Sequence, residues 1–274
     1  MPGLRIEALK HVPYDKLIRM RQTSSWLIVL ILLSLLPGFY ALAQGVPTAD
    51  ATLGLYVGEG AHPDCVGPAR EMFESMGLHV REITAGDINN ARVDDIDIFY
   101  FAGGESGPYI DDISAAGKSS LRQQVSEGAI YIGTCAGAMF GAAVQVWEGK
   151  NYSRGQLGVF PGDAVGPAPN ICGPSGGVCK CMVDLNATHP AAQGLPESIE
   201  IYYYNSPFFR FHPDSSVEVI ATYQATGVPT IVASEYGAGR VVLTGVHPEW
   251  IPGPPWELMT RATLWCLGRL DATD

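Results

Sequence analysis

Positive charge is what this chain of 274 residues lacks most. It carries 17 Lys and Arg against 28 Asp and Glu, a formal net charge of −11. A nucleic-acid binder needs a basic footprint to displace counterions from phosphates, so that class is excluded. No internal repeat is present, and no linker is rich enough to divide the chain. Charged residues make up only 16% and hydrophobic residues 47%, which excludes general disorder and supplies a sizeable core. Glycine and proline are plentiful at 32 and 20, so a glycine motif is weak when taken alone.

The scarce positive charge is unevenly placed. Residues 1–43 hold five Lys/Arg and two Asp/Glu, leaving −14 for the remainder. Arg5, Lys10, Lys16, Arg19 and Arg21 precede an apolar stretch, Trp26 to Leu36; Pro37-Gly38 breaks it, and Ala41-Leu42-Ala43 follows. A basic region, a short apolar core and a small-x-small site are the parts of a cleaved secretory signal. The alternative is an uncleaved anchor, because Trp26 to Ala43 has no charge and a span needs about 17–25 apolar residues. Lys/Arg before the stretch place the amino end in the cytoplasm in both cases. No Cys follows the apolar run, so lipidation is not expected. The division is therefore 1–43 as signal peptide or membrane anchor and 44–274 as one extracytoplasmic domain, secreted or periplasmic. Membrane contact runs through residues 26–43 only if the segment is uncleaved.

Export changes how the six cysteines read. In an oxidising compartment thiols pair unless buried or catalytic. Cys172, Cys179 and Cys181 share a Gly/Pro-rich loop that suits a local disulfide, with no pairing assigned. A zinc site with His189 is the alternative, but the spacing is not that of a common zinc module. Cys65 and Cys266 are expected to pair or stay buried.

From residue 51 onward, short apolar runs alternate with helical patterns. Strands are expected at Ala51–Val57, Leu78–Ile83, Asp95–Phe101 and Ala129–Ile132. Helices are expected at Pro68–Met76, Ser119–Glu127 and Ala138–Val146. In the first helix Ala69, Met72, Phe73 and Met76 share one face. This alternation predicts a mostly parallel sheet covered on both faces, with ligands at the strand carboxyl ends. Residues 148–177 read as loop. Further strands are expected at Val178–Asp184, Glu200–Tyr204, Val217–Tyr223, Thr230–Tyr236 and Arg240–Thr244, the last two joined as a hairpin at Gly237. A final helix is expected from Pro255 to Leu270, burying Leu258, Ala262, Trp265 and Leu270.

Three strand ends concentrate the chemistry. Gly133-Thr134-Cys135-Ala136-Gly137 has the form of a nucleophile elbow, in which a sharp strand-to-helix turn leaves no space for neighbouring side chains. Cys135 would project at a helix amino end, where the dipole favours a thiolate. Gly245-Val246-His247-Pro248-Glu249 follows the last strand and supplies a base, with an acid two residues on to orient it. Gly103-Gly104 offers unhindered N–H groups for an oxyanion, beside the N–H of Ala136. Each motif alone also suits a plain structural role: a small buried Cys, a capped turn, a glycine turn. Their convergence on strand ends favours the chemical reading.

Together these motifs resemble the class I glutamine amidotransferase-like superfamily. More narrowly, the chain is similar to the amino-terminal domain family of eukaryotic biotin–protein ligases. The similarity runs in order through LYVGEGAHPDCVGPA, FYFAGGESGPY, GAIYIGTCAGAMFGA, IYYYNSPFF and YGAGRVVLTGVHPEW, covering most of residues 50–268. The resemblance implies a flavodoxin-like three-layer α/β sandwich and a Cys-His-Glu triad. By position Cys135 matches the nucleophile, His247 and Glu249 its partners, and Gly104 with Ala136 the oxyanion donors. Tyr109 matches a residue that follows the Gly-Gly turn near the site. No Gly-Arg-Gly-Arg adenylate loop, biotin-acceptor Met-Lys-Met or following ligase domain is found, so biotin attachment is not expected.

Two functions follow. One is an exported cysteine-dependent hydrolase acting on a small-molecule or peptide amide or ester, without cofactor or metal. The other is a non-catalytic module of the cell envelope that binds a ligand or partner on the same fold. Glutamine amidotransfer is weakened by export, which removes the usual cytoplasmic acceptors. Gly103, Tyr109, Tyr204, Asn205 and Trp250 are expected at the substrate, with Glu59 a further rim residue. The bland account of Tyr202-Tyr203-Tyr204 is that alternate rings pack in the core. Asn151-Tyr152-Ser153 and Asn186-Ala187-Thr188 match glycosylation sequons, which matter only in a eukaryotic secretory route.

Overall fold

Runs of four or five buried apolar residues, too short to be stable helices, form the centre of the molecule. The fold is that of a computed structural model describing residues 50–152, 155–173 and 176–270. Residues 1–43, with the signal and anchor readings, lie outside the described residues, as does Ser153 of the first sequon. Among the described residues no helix is long and apolar enough to cross a membrane.

In chain order the first elements are β1 (Thr52–Tyr56), α1 (Pro63–Ser75), β2 (His79–Ile83), α2 (Ala85–Asn89), β3 (Ile98–Phe101), α3 (Ser106–Asp112), α4 (Ala115–Ser126), β4 (Ile130–Thr134) and α5 (Ala136–Gly141). Then come β5 (Ala142–Trp147), β6 (Lys150–Tyr152), β7 (Phe160–Gly166), β8 (Val178–Leu185), β9 (Ser198–Tyr204), β10 (Phe208–Phe211), β11 (Glu218–Tyr223), β12 (Pro229–Tyr236), β13 (Gly239–Thr244) and α6 (Pro254–Cys266). Nine strands form one sheet in the order β2-β1-β3-β4-β13-β12-β11-β8-β9. The first five run parallel, and the remaining four extend the sheet antiparallel. Strand alternation separates two cores. Ile98 and Tyr100 of β3 face one core with α1 and α6, while Phe99 and Phe101 face the other with α4 and α5. The protein is thus a three-layer α/β sandwich, as expected.

The expected face of the first helix is buried at Ala69, Met72, Phe73 and Met76, but the helix begins at Pro63. Pro63 stands at the first helical position, where its missing N–H costs nothing. Pro68 lies inside the helix rather than at its start. The hairpin at Gly237 is present, joining β12 to β13 with Tyr236 opposite Gly239.

Three expectations need correction. The helix over Ala138–Val146 stops at Gly141, and Ala142–Trp147 is strand β5. β5 pairs with β7 and β6 in a second, four-stranded sheet ordered β10-β7-β5-β6, which is absent from the expected elements. Val144 and Val146 are β-branched and suit that sheet; pairing with the distant Phe160–Gly166 decides the outcome over local periodicity. Residues 148–177 accordingly contain β6 and β7 rather than loop alone. The last helix ends at Cys266, so Leu270 lies beyond it, although Leu258, Ala262 and Trp265 are buried as expected.

Cys172 and Cys179 form a disulfide within the Gly/Pro-rich segment. Cys181 next to it is a free thiol, and Cys65 and Cys266 are buried and unpaired. His189 is not drawn into a zinc set with these cysteines. Its ring caps a short helix by accepting the Ala191 N–H at 3.1 Å and lies against Trp265, with ring centroids 5.0 Å apart.

The junction of β4, α5 and β3 is packed backbone to backbone. A Cβ on Gly137 would lie 2.0 Å from the Phe101 carbonyl oxygen, and one on Gly133 would lie 2.6 Å from the Gly137 carbonyl carbon. These contacts admit only glycine, because neither partner is a side chain that can swing aside. Gly137→Ala is expected to destabilise the protein by about 1–3 kcal/mol or more through overpacking. Gly67→Ala, where nothing beyond its chain neighbours lies within 4 Å, is expected to change stability by no more than about 0.5 kcal/mol, because Pro68 disfavours a Cβ on the helical residue before it and offsets the gain in helix propensity. Denaturant unfolding of both variants checks the pair, and an unchanged midpoint for Gly137→Ala would refute the close approach.

Candidate active site

Cys135 sits where the chain turns from β4 into α5, with φ 53° and ψ −105°. A non-glycine residue in this region stores strain of about 1–3 kcal/mol, which the surrounding structure must hold. Its N–H donates to the Thr244 carbonyl at 2.9 Å, and the Cys135 carbonyl accepts the Met139 N–H at 3.0 Å. Thr134, the residue before, accepts from the buried Tyr100 hydroxyl at 3.0 Å. The elbow is therefore tied to β3, β13 and α5 while its thiol stays half-exposed.

His247 follows β13 and is fixed on every side. Its N–H donates to the Tyr202 carbonyl at 2.8 Å. Nδ1 lies 2.8 Å from Glu249 Oε1, with both side chains buried. Nε2 lies 3.3 Å from Ser206 Oγ. The Trp250 ring stacks on the imidazole with centroids 4.1 Å apart and planes at 12°, and Trp250 Nε1 donates to the Asp64 carbonyl at 2.7 Å. Gly103 is buried directly beneath, where a Cβ would meet His247 Cε1 at 2.6 Å. Glu249 Oε2 has no partner among the described residues.

Burial alone would push the Cys135 thiol up. Hydrogen bonding and charge from His247, with the Ser206 hydroxyl, outweigh that and hold it below its ordinary value. Burial likewise opposes protonation of His247, but the Glu249 charge and the neighbouring Cys135, Cys65 and Glu249 side chains hold its pKa well above the usual value. The two shifts have opposite senses, and together they favour a thiolate–imidazolium pair.

A second thiol adjoins the same ring. Cys65 Sγ lies 3.9 Å from His247 Nδ1, and Cys65 is buried. There burial dominates and raises the thiol pKa despite the bond to His247. Sequence reading missed this neighbour, as it missed Ser206. The Pro-Asp-Cys at the start of α1 carries no motif, and only the packing of α1 against the His247 loop brings Cys65 to the imidazole. Cys65, His247 and Glu249 offer a thiol, a ring nitrogen and a carboxylate within 4.8 Å of one another. That donor set suits zinc. However, His247 Nδ1 and Glu249 Oε1 already satisfy each other, and an ion entering there must break their bond.

Cys135 and His247 open into a cavity of about 1020 Å³ that Gly104, Ala136, Tyr204, Asn205 and Trp250 also line. Ala136 is the first residue of α5, so its N–H belongs to the group a helix leaves without internal partners. Gly104 has φ 146° and approaches the Gly60 carbonyl too closely for any Cβ. The turn is pinned there by His62 N–H to the Gly103 carbonyl at 3.0 Å and Glu105 N–H to the Gly60 carbonyl at 2.9 Å. Tyr204 is exposed, and its carbonyl accepts from Cys135 Sγ at 3.9 Å. Asn205 orders the mouth by accepting the Gly177 N–H at 2.8 Å. Glu59 lies on the rim, exposed.

Tyr109 stands apart from these. Rather than touching the cavity, it is wholly buried on the inner face of α3, its hydroxyl donating to the Ala102 carbonyl at 3.1 Å. Edge-on contacts with Tyr56 and Phe101, at 5.1 and 5.5 Å between centroids, hold it in the core. It supports the Gly-Gly turn from below. Gly103 shares that buried position, with its contact to His247 in place of a contact to solvent.

A cysteine at a strand–helix elbow, a histidine after a neighbouring strand and a three-layer sandwich define the class I glutamine amidotransferase-like fold. A ThuA-like protein from Bacteroides uniformis shares this fold with a TM-score of 0.55 at 15% identity, over 82% of this chain and 95% of that one. A protein described as part of a GMP synthase, from Thermoplasma acidophilum, does so at 0.52 and 17%, over 80% and 94%. The chain belongs to the family described as biotin-protein ligase, N terminal, whose model matches residues 55–262. The biotin–protein ligase of Schizosaccharomyces pombe is 30% identical over 159 residues, which are 54% of this chain. The match spans 25% of that ligase's length.

The unlike shifts of the two thiols give a direct test. Alkylation by iodoacetamide is expected at Cys135, with a rate that falls only as pH drops through a value below the ordinary thiol range. Cys65 is expected to stay protected. In His247→Ala the lowering by the imidazole vanishes while burial and the Ser206 hydroxyl remain, so the Cys135 rate at neutral pH is expected to fall about tenfold or more. Mass-spectrometric rates across pH read this out. Equal rates in wild type and variant would refute activation by His247.

Proposed function

We propose that the chain is an exported cysteine-dependent hydrolase acting on an amide, peptide or ester. One observation carries the reading. A partly buried thiol on a strained elbow opens into the same cavity as an imidazole paired with a buried carboxylate, and that imidazole holds the thiol pKa down. A structural cysteine needs neither the strain nor the accessible sulfur.

In this reading the Cys135 thiolate attacks the carbonyl carbon, and the carbonyl electron pair moves to oxygen. The N–H groups of Gly104 and Ala136 hold that oxyanion. Collapse expels the leaving group, which takes the proton from protonated His247, and an acyl thioester remains on Cys135. Water then attacks the thioester while His247 removes its proton. Expulsion of the thiolate releases the carboxylic acid, and the proton returns the imidazolium. Glu249 keeps the ring oriented throughout and offsets its charge. The basic and apolar pattern of residues 1–43 and the Cys172–Cys179 disulfide support an oxidising, extracytoplasmic setting.

The test is turnover of fluorogenic peptide amides, γ-glutamyl amides, free glutamine and p-nitrophenyl esters by purified protein. Cys135→Ala is expected to abolish turnover, by about 10³-fold or more. Glu249→Gln is expected to lower kcat by about 10²–10⁴-fold, with smaller change in KM. Turnover that survives Cys135→Ala, or none with any class, overturns the reading.

A further inference from the structure

The residues around Cys135 have a composition that the reaction itself does not require. Three acidic side chains, Glu59, Asp64 and Glu105, line the cavity and are exposed. Among the described residues that line it there is no lysine or arginine. His62, which also lines it, uses its ring nitrogen to accept the Asp64 N–H at 3.3 Å. In low-salt water each exposed carboxylate attracts a nearby cation weakly, but three of one sign around one cleft reinforce one another.

The same cavity also carries exposed apolar surface. Tyr152, Val178, Met182 and Tyr204 are the exposed large hydrophobic residues among the described ones, at 45%, 56%, 38% and 48% exposure. All but Met182 line this same cavity. Apolar surface left in water at the mouth of a cleft marks a place for a ligand. The topology separates the acidic residues from Val178 and Tyr204. Glu59 and Asp64 follow β1, and Glu105 follows β3, both on one side of β4 in the main sheet. Val178 and Tyr204 lie at the ends of β8 and β9, on the far side; Tyr152 ends β6 opposite Gln145, which accepts from Ser106 Oγ beside Glu105, and so belongs with the acidic side. Cys135, at the end of β4, stands between.

We infer that the substrate is a cationic amide, with a protonated amine or guanidinium on one side of the scissile bond and an aromatic or bulky aliphatic group on the other. The cation would lie against Glu59, Asp64 and Glu105, and the apolar group against Val178 and Tyr204. A ligand with a free carboxylate on the acidic side, such as a γ-glutamyl group placed there, would meet like charge from Glu59, Asp64 and Glu105. The inference rests on the proposed hydrolase reading for the scissile bond, but the preference for positive charge is measured by binding alone.

The experiment uses the full chain with Cys135→Ala, so that ligands persist. Tryptophan fluorescence is titrated at low salt with acetyl-Lys-Gly-Phe-amide and acetyl-Phe-Gly-Lys-amide, and with matched peptides carrying Glu or norleucine in place of Lys. At least one lysine peptide is expected to bind about tenfold or more tighter than its glutamate counterpart. Raising NaCl to about 0.5 M is expected to shrink that ratio, because screening acts over a few ångströms there. The combined change Glu59→Gln, Asp64→Asn and Glu105→Gln is expected to reduce the ratio at least about threefold. Replacing Tyr204 by Ala is expected to weaken lysine and norleucine peptides alike. Equal affinity for lysine and glutamate peptides, a preference for glutamate, or no binding by either lysine peptide overturns the inference. If lysine peptides bind selectively but wild-type protein turns over neither them nor any of the amide and ester classes above, the hydrolase reading fails and the charge preference stands. If wild-type protein cleaves anionic and cationic peptides equally well, the hydrolase reading stands and the inference fails.

Discussion

The site depends on how a single imidazole is confined. His247 is gripped by Glu249 at one nitrogen, met by Ser206 at the other, covered by the Trp250 ring and undercut by Gly103. Burying an imidazolium without a partner would be costly, and the buried carboxylate of Glu249 offsets that cost. With the ring held, one face of the site can keep a thiol ionised while the other keeps Cys65 protonated. The same imidazole thus yields opposite outcomes: at Cys135 His247 and the Ser206 hydroxyl outweigh burial, whereas at Cys65 burial prevails.

The fold supplies that confinement through backbone contacts that no side chain could occupy. β3 comes close enough to α5 that only glycine fits at position 137, and Gly104 abuts the Gly60 carbonyl. These approaches bring the ends of β1, β3, β4 and β13 to one edge of the sheet. Parallel strands share a direction, so their carboxyl ends gather and their loops surround a common cleft. The antiparallel extension contributes the Tyr204–Ser206 segment, which crosses toward the elbow and places a carbonyl and a hydroxyl beside it.

Much of the site was legible because its signals are local. The glycines around Cys135 report a turn too tight for side chains, and the spacing of His247 and Glu249 lets a carboxylate reach its own neighbour's ring. Trp250 was legible for the same reason. Cys65 and Ser206 were not, since neither has a local pattern and both reach His247 by packing. Tyr109 misled for the converse reason: its position after the Gly-Gly turn suggested the cleft, yet the helix α3 turns that side chain inward onto Phe101 and Tyr56. The second sheet also escaped, because the Ala/Val-rich run after Gly141 is compatible with either period. Its partner, Phe160–Gly166, lies beyond an intervening turn.

The sequence by itself determined the alternation of strands and helices, the positions of the elbow and the His-Pro-Glu turn, and the shortage of positive charge. Each follows from steric or compositional rules that act over a few residues. Tertiary structure decided which thiols are equivalent and which are not, pairing Cys172 with Cys179, sealing Cys266 and setting Cys65 against Cys135 across one imidazole. It also decided that Glu59, Asp64 and Glu105 share one cleft with Val178 and Tyr204, which lie across β4 in the sheet order. Thiol ionisation and pocket character depend on burial and on neighbours far apart in the chain, and those exist only once the layers have packed.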